Sequence, residues 1–324
     1  MKMNMQSRNL PLNVFLLILF SFSVLIGCGD GMVKNKVPAE NKSLSEQPDS
    51  LAGAEPVSLT SSLIIQDEKD LKGYWVGMFE PDTSIDGVYT GEVRAWDYSN
   101  KINISIDEIN GSNVKGHSVV AGNDRPFTGT FEKAGAAFNF FVKEPGDDKY
   151  DGQFSFRIDK GDSTLTGIWI AYGKIRIPQR KYELVKKNFR YDPNVKLEAG
   201  RYIDWKKSKK VTDEIDGEPV YDNSYFTTTD EVNKYNASAD LLTKDQVANM
   251  KKADLFIIRN TIYARHGYSY KDQQLRAYFD MQPWYIPVST NVKSQFTDLE
   301  KKNIALLLRY EKNAKEYYDV FGRG

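Results

Sequence analysis

The chain is poor in the residues from which disulfides, metal sites and many active sites are built. It contains one cysteine, Cys28, and two histidines, His117 and His266. One cysteine cannot form a disulfide within the chain, and two distant histidines cannot make a multi-histidine zinc site. The sequence also lacks a Gly-x-Ser-x-Gly nucleophile motif and a phosphate-binding glycine loop. We therefore predict no metal, no cofactor and no enzymatic activity.

No charge of one sign dominates the sequence. The 44 Lys and Arg residues balance 44 Asp and Glu residues. Because nucleic-acid binding requires a basic surface, we expect no nucleic-acid partner. The 324 residues are too many for one ordinary core, so two folded domains and a tether are expected.

Long apolar runs are absent apart from a short one near the amino terminus. Val14–Ile26 follows two cations, Lys2 and Arg8, and is shorter than the about 20 residues that span a bilayer. This order is typical of a secretory signal peptide. The run leads into Leu25–Cys28, Leu-Ile-Gly-Cys, which resembles the lipobox of bacterial lipoproteins.

The lipobox resemblance implies that residues 1–27 are a signal peptide and that Cys28 is acylated. Two or three acyl chains make a stable anchor, at roughly 0.8 kcal/mol per buried methylene. We therefore expect membrane lipid as a partner through acylated Cys28 and an extracytoplasmic, lipid-anchored location at the cell envelope. In enteric bacteria an aspartate directly after the acylated cysteine favours retention in the inner membrane. This chain has Gly29 at that position, so we expect the outer membrane. A cleaved signal peptide with a chance cysteine, and a transmembrane helix, are the alternatives.

The segment after the lipobox is predicted to be a disordered tether. Residues 28–66 hold many small and polar residues and few large apolar ones, so they cannot bury enough surface to fold. A coil of this length spans roughly 30 Å, which would hold the first folded domain away from the lipid.

Alternating apolar residues predict an antiparallel β domain over residues 67–187. Ile102, Ile104 and Ile106 alternate with polar residues, which is the period of a strand with one buried face. Turn residues recur about every 12 residues, as in an antiparallel meander. We expect eight or nine strands that close into a barrel, with a sandwich of two sheets as the alternative.

One detail of this region resembles the lipocalins. The first predicted strand carries Gly73-Tyr74-Trp75, and Arg176 and Arg180 lie near the end of the β region. In lipocalins the tryptophan of a Gly-x-Trp motif packs under an arginine from the end of the barrel. The resemblance implies a lipocalin-like barrel in which one of these two arginines covers Trp75.

The residue pattern of the chain changes at residue 188 and again at residue 241. Residues 188–240 are predicted to be a connector with one or two extra strands. From residue 241 the apolar residues recur with helical spacing, which predicts a small all-α domain over 241–324. The predicted fold class is therefore α+β multidomain, with an N-terminal barrel or sandwich and a helical C-terminal domain.

Helix boundaries in the last domain are marked by capping residues. Thr243 with Gln246, and Thr297 with Glu300, have the spacing of capping boxes. Gly267 follows a predicted central helix and is expected to end it in the left-handed conformation.

The segment Arg259–Tyr268, RNTIYARHGY, resembles the signature of the YARHG domain, which is named after the residues of Tyr263–Gly267. The remaining family pattern is present in Leu275–Phe279, Gln282–Tyr285 and Glu300–Ile304. The resemblance extends over about residues 241–315. It implies an extracytoplasmic module without an established catalytic activity.

The candidate binding residues are Tyr263, Arg265, His266 and Trp284. In a functional account they line a groove that binds an anionic or sugar-like envelope polymer. In a structural account, which we prefer, cations at the helix C terminus contribute roughly 0.3–1 kcal/mol, and Gly267 is the cap. In this second account Trp284 anchors the packing of the next helix.

The leading hypothesis is a membrane-anchored, non-enzymatic cell-envelope lipoprotein that binds a ligand, an envelope polymer or a protein partner. One alternative is a hydrolase of cell-wall polymer, with a carboxylate pair that the sequence does not locate. Another is a structural component of envelope assembly. A cavity in the barrel favours binding, two carboxylates about 5–10 Å apart in a cleft favour hydrolysis, and a flat apolar patch favours assembly.

Overall fold

An eight-stranded antiparallel barrel forms the first folded region. The computed structural model describes residues 63–85, 99–198, 200–215 and 218–315. The predicted signal peptide, Cys28 and most of the predicted tether therefore lie outside the described residues. The strands are β1 (Gly73–Pro81), β2 (Asn100–Asn110), β3 (Asn113–Val120), β4 (Asn123–Ala134), β5 (Ala137–Lys143), β6 (Gly152–Asp159), β7 (Thr164–Ala171) and β8 (Gln179–Lys187).

The barrel closes because β8 pairs with β1, so no strand edge is left in this sheet. This confirms the predicted barrel, and the alternative of two packed sheets is wrong. The alternating apolar residues point inward and fill the centre. Phe140 stacks on Phe156 with ring centroids 4.6 Å apart, and Phe131 lies 5.3 Å from Phe140 on the other side.

Gly116, on β3, allows a neighbouring side chain to lie close to the strand backbone. A Cβ on Gly116 would overlap the ring of Phe127 and the carbonyl oxygen of Ser105. The missing side chain therefore lets the Phe127 ring occupy the barrel interior next to the backbone.

One end of the barrel is closed by the segment that precedes β1. A short 3-10 helix, Glu68–Leu71, is capped by Asp67, and Leu71 is fully buried. Ile65 is also fully buried, and its backbone exchanges two hydrogen bonds with the β6–β7 turn, to Asp162 and from Gly161. Residues 63–66, assigned to the tether from composition, thus form part of the barrel's closed end.

The predicted arginine over Trp75 is wrong. Lys186 Nζ lies 5.4 Å from the centre of the Trp75 ring, and the two residues are directly paired between β1 and β8. Arg180 lies over Phe79 instead, at 5.0 Å. The strand register explains the difference, because Arg180 pairs with Pro81 at the opposite end of β1. Arg176 is exposed in the β7–β8 connection at that same end.

Two further strands follow the barrel as a separate ribbon. β9 (Ile203–Ile215) and β10 (Glu218–Thr227) pair with each other in a two-stranded sheet. Short 3-10 helices lie at Asp230–Asn233 and Lys293–Gln295.

The described part of the helical module, up to residue 315, contains four α-helices. They are α1 (Lys244–Val247), α2 (Lys252–Arg265), α3 (Gln273–Phe279) and α4 (Asp298–Asn313). Both predicted capping boxes are confirmed, at the start of α1 and at the start of α4. Gly267 has φ +72°, which confirms the predicted left-handed residue after α2.

Helix α2 is the centre of this module. Its apolar residues are buried on several sides, and it packs against α4. Across the described parts of the chain, no helix combines the length and the apolar character needed to cross a bilayer.

The module docks on the outer wall of β2, and both belong to one compact unit. The backbone N–H of Lys101 donates to Asp280 at 2.8 Å, and Lys101 Nζ donates to the carbonyl of Gln282 at 2.9 Å. The side-chain amide of Asn103 donates to the carbonyl of Pro287 at 3.0 Å. These bonds fix the module against the barrel wall.

Candidate ligand-binding site at the barrel mouth

The predicted binding residues of the YARHG motif lie close in sequence but point into different surroundings. Tyr263 is half-buried and packs edge-on against Tyr268 and Phe296, at centroid distances of 5.7 and 4.8 Å. It lines a groove of about 560 Å³ that does not include Arg265, His266 or Trp284.

Arg265 is buried, and its guanidinium ties the connector to the module. Nη1 donates to Asn236 Oδ1 at 2.6 Å, and Nη2 donates to the carbonyl of Val195 at 2.8 Å. Burial lowers the pKa of Arg265. The side chain lies at the edge of a second cavity of about 500 Å³, but its described donors are largely used by the protein itself.

His266 is almost fully buried and belongs to a hydrogen-bonded cluster. Its ring stacks on Tyr191 with centroids 4.2 Å apart, and Nε2 lies 2.9 Å from Glu300 Oε2. Tyr191 donates its hydroxyl to the other oxygen of Glu300 at 2.9 Å, and the N–H of Thr297 also donates to this carboxylate. Burial raises the pKa of Glu300, but the hydrogen bonds from His266 and Thr297 lower it by more, to about 2.

Trp284 packs with its ring perpendicular to that of Tyr285 and donates Nε1–H to the carbonyl of Lys196 at 2.6 Å. The structure therefore does not bring Tyr263, Arg265, His266 and Trp284 onto one surface. Each has contacts within the folded chain, and their role in binding stays a prediction.

A different set of residues forms a cavity of about 370 Å³ at the open end of the barrel. The up-and-down strand order places the β1–β2, β3–β4, β5–β6 and β7–β8 connections at this end. We call this cavity the mouth. Its described lining is Phe79, Asn100, Ser118, Val120, Ala121, Asn123, Arg125, Glu144, Tyr150, Phe154, Trp169, Ile175, Arg176, Ile177, Arg180 and Arg276.

The floor of the mouth contains a buried carboxylate. Glu144 accepts hydrogen bonds from Ser118 Oγ at 2.9 Å, from Gly152 N–H at 2.7 Å and from Trp169 Nε1–H at 3.2 Å. Burial is the largest influence and raises the pKa of Glu144, although these donors oppose it. The carboxylate thus holds the indole of Trp169 and the end of the β5–β6 connection in place.

Two arginines are held inside the mouth by protein acceptors. Arg180 donates Nη1–H to the carbonyl of Phe79 at 2.9 Å, and burial lowers its pKa to about 10. Arg125 Nε lies 2.9 Å from Asp151 Oδ1, and its Nη2 donates to Asp148 at 3.2 Å. The charge of Arg125 is therefore partly balanced by acids outside the lining.

The helical module contributes a further arginine to the mouth. Arg276, on α3, donates Nε–H to Asn100 at the start of β2, at 2.9 Å. Its Nη1 donates to the carbonyls of Tyr270 and Lys271. One wall of the barrel mouth is thus completed by a helix from a different part of the chain.

The mouth was not found from the sequence. Arg125 lies in no recognisable motif, and the lipocalin resemblance assigned Arg176 and Arg180 to Trp75 and not to a cavity. The common location of these three arginines follows from strand order. An assumed up-and-down strand order would have predicted that these three arginines lie at the same end of the barrel. Nothing in the sequence indicates that Arg276 lies beside them. Among the residues that the structure describes, no three His, Cys, Asp or Glu side chains cluster as metal ligands.

Comparison with known families places the helical module. Residues 229–312 match the family model of the YARHG domain, which is typical of extracytoplasmic proteins. The match begins at residue 229, before the predicted start of the module at residue 241. The packing of residues 229–240 against the module accounts for this difference. Thr229 bonds to Asp254 of α2 through its N–H and its hydroxyl, so this segment belongs to the module's core. Searches of curated proteins and of solved structures found no match to the chain.

Proposed function

We propose that this YARHG-domain protein is a non-enzymatic cell-envelope lipoprotein that binds a ligand at the barrel mouth. The lipobox-like residues that end in Cys28, and a domain typical of extracytoplasmic proteins, support an envelope location. Acylation of Cys28 and anchoring in the outer membrane are parts of this proposal.

The mouth cavity is the observation that carries the proposal. The centre of the barrel is filled by stacked rings such as Phe140 and Phe156, yet a cavity of about 370 Å³ remains at one end. Its volume lies within the about 300–1,000 Å³ of small-molecule sites, and it combines an apolar floor with a few converging polar groups. These properties favour binding of a small molecule over a purely structural role.

The same cavity favours binding over hydrolysis. A glycosidase-type site needs two carboxylates about 5–10 Å apart. Among the described lining residues Glu144 is the only carboxylate, and both of its oxygens already accept hydrogen bonds from the protein. We therefore assign Glu144 a positioning role for Trp169 and the β5–β6 connection.

In this proposal the helical module supports the mouth from outside the barrel. Asp280 and Gln282 bond to Lys101 of β2, and Arg276 bonds to Asn100 next to it. These contacts fix the start of β2, where the mouth begins. An envelope polymer bound by the module itself is a second hypothesis, with half-buried Tyr263 as the candidate residue that lines the groove of about 560 Å³.

Retention of a small molecule from extracts of the source cells tests the proposal. The purified protein would be incubated with a total small-molecule extract, washed, and its bound compounds identified by mass spectrometry. A Val120→Trp variant should fill the mouth and lose the compound, because Val120 lines the cavity. A Val185→Trp variant is the matched control, because Val185 is exposed on β8 and absent from the described mouth lining. Equal retention by both variants would contradict the proposal.

A further inference from the structure

We propose that the ligand of the mouth is an amphiphilic anion, a single negatively charged group on a short apolar body. We also propose that Arg276 of the helical module and Arg176 of the barrel bind its charged group. This inference rests on the proposed ligand-binding function and adds the chemical class of the ligand.

The first argument is the charge of the lining. Four arginines and one carboxylate, Glu144, line the described mouth, whereas the whole chain has a formal net charge of zero. A cavity with low-dielectric walls concentrates the field of such charges and raises the local concentration of anions. Glu144 is bonded to Ser118, Gly152 and Trp169 at the floor, so its charge is screened by donors of the protein.

The second argument is the supply of free donors at the rim. Arg176 is exposed and makes no hydrogen bond or ion pair within the described part of the chain. Arg276 uses Nε and Nη1 for Asn100, Tyr270 and Lys271, and its Nη2 has no partner among the residues described. A guanidinium offers five N–H donors in a planar fork, which suits carboxylate, phosphate and sulfonate oxygens.

The third argument is the apolar floor. Phe79, Phe154 and Trp169 are buried rings in mutual contact, with the centroids of Phe79 and Trp169 5.6 Å apart. They offer an apolar surface below the arginines. Because Phe140 and Phe156 fill the barrel centre, the apolar part of the ligand must be short enough to remain in the mouth.

Calorimetric titration with three matched amphiphiles tests the class. Decanoate, decanol and decyltrimethylammonium carry the same alkyl chain with a negative, a neutral and a positive head. The chain from residue 28 onward would carry Cys28→Ser, so that no detergent competes for the site. Decanoate should bind about tenfold more tightly than decanol, and its affinity should fall as salt is added.

Two arginine variants locate the charged group. Arg176→Gln and Arg276→Gln should each weaken decanoate binding about tenfold and leave decanol binding unchanged. Arg157→Gln is the control, because Arg157 is exposed on the outer wall of β6 and bonds to Asp159 there. Arg276 also fixes the module, so if its variant melts earlier, Arg176→Gln decides the result.

Vesicles distinguish two sources of the same chemistry. If the protein is sedimented by phosphatidylglycerol vesicles but not by phosphatidylcholine vesicles, Arg176→Gln should abolish the sedimentation; this result would identify the anion as the headgroup of a membrane lipid. Binding of decanoate without binding to vesicles would identify it as a free amphiphile. Either result supports the inference. Equal affinity for decanoate and decanol would overturn the anion class and leave the ligand site intact. If neither amphiphiles nor vesicles bind while the protein retains a compound from the extract, the inference fails and the proposed function stands.

Discussion

Glu300→Gln should destabilise the helical module, because it removes a buried carboxylate that accepts hydrogen bonds from three partners. The donors are His266 Nε2 and Thr297 N–H on Oε2, and the Tyr191 hydroxyl on Oε1. His266 must carry its proton on Nε2 to face an ionised carboxylate. A glutamine presents one uncharged carbonyl oxygen and one NH2 group, so the charged acceptor is lost and only one of the two positions of the side chain can still accept a hydrogen bond. The loss of a charged acceptor costs about 1.5–3 kcal/mol, and we expect about 3 kcal/mol less stability.

The acid dependence of stability gives a second value for the free energy that ionised Glu300 contributes to folding. Hydrogen bonds from His266 and Thr297 outweigh burial and hold the pKa of Glu300 at about 2, below its ordinary value of 4.5. Because the folded pKa lies below the unfolded one, ionised Glu300 stabilises the fold fully above about pH 4.5. This contribution is lost as the pH falls from about 4.5 towards about 2. Each pKa unit is worth about 1.4 kcal/mol, so the total is again about 3 kcal/mol.

Urea unfolding followed by far-ultraviolet circular dichroism measures both quantities, at pH 7 and at steps down to pH 2.5. Wild type should lose stability through this window, and Glu300→Gln should start lower and lose less. Asp298→Asn is the matched control, because Asp298 is in the same helical turn and its side chain is 90% exposed. The control should change stability by less than about 0.5 kcal/mol. A Glu300→Gln protein within about 1 kcal/mol of wild type, with unchanged acid dependence, would refute this account of the cluster.

Three further predictions concern the motif and the anchor. Arg265→Ala should lower the free energy of unfolding by about 2–3 kcal/mol in urea, because it removes the bond to Asn236 and leaves buried acceptors unpaired; an unchanged midpoint would instead favour a binding role. Gly267→Ala should cost about 1 kcal/mol or more in a thermal melt, because φ is +72° and a Cβ would meet the Val288 side chain; a melt equal to wild type would argue against the left-handed cap. Cys28→Ser should abolish incorporation of radiolabelled fatty acid, and any label in this variant would show that Cys28 is not the attachment point.

Local patterns in the sequence were sufficient to predict which regions form strands and which form helices. The alternation of Ile102, Ile104 and Ile106 predicted strands, and turn spacing predicted the meander, because both depend on residues that are neighbours in the chain. The capping boxes were predictable for the same reason, since a helix cap joins residues three apart. Gly267 followed from the need for positive φ at the end of α2.

The sequence could not predict contacts that depend on register or docking. A lipocalin-like arrangement implied an arginine over Trp75, but the pairing of β1 with β8 places Lys186 there and Arg180 at the other end. Likewise, the sequence suggested that His266 marks a helix end. Only the packed structure joins it to Tyr191 and to the capping residue Glu300.

By itself the sequence determined the order of regions: a lipobox-like start, a β domain with one buried face, and a helical module with the YARHG motif. These properties follow from composition and short periods, which act within a few residues. Only the tertiary structure decided where the candidate site lies. Three arginines meet at the mouth because an up-and-down barrel brings alternate connections to one end, and Arg276 joins them because α3 docks beside Asn100. Contacts between residues so far apart in the chain are set by the packing of whole elements, which no local pattern encodes.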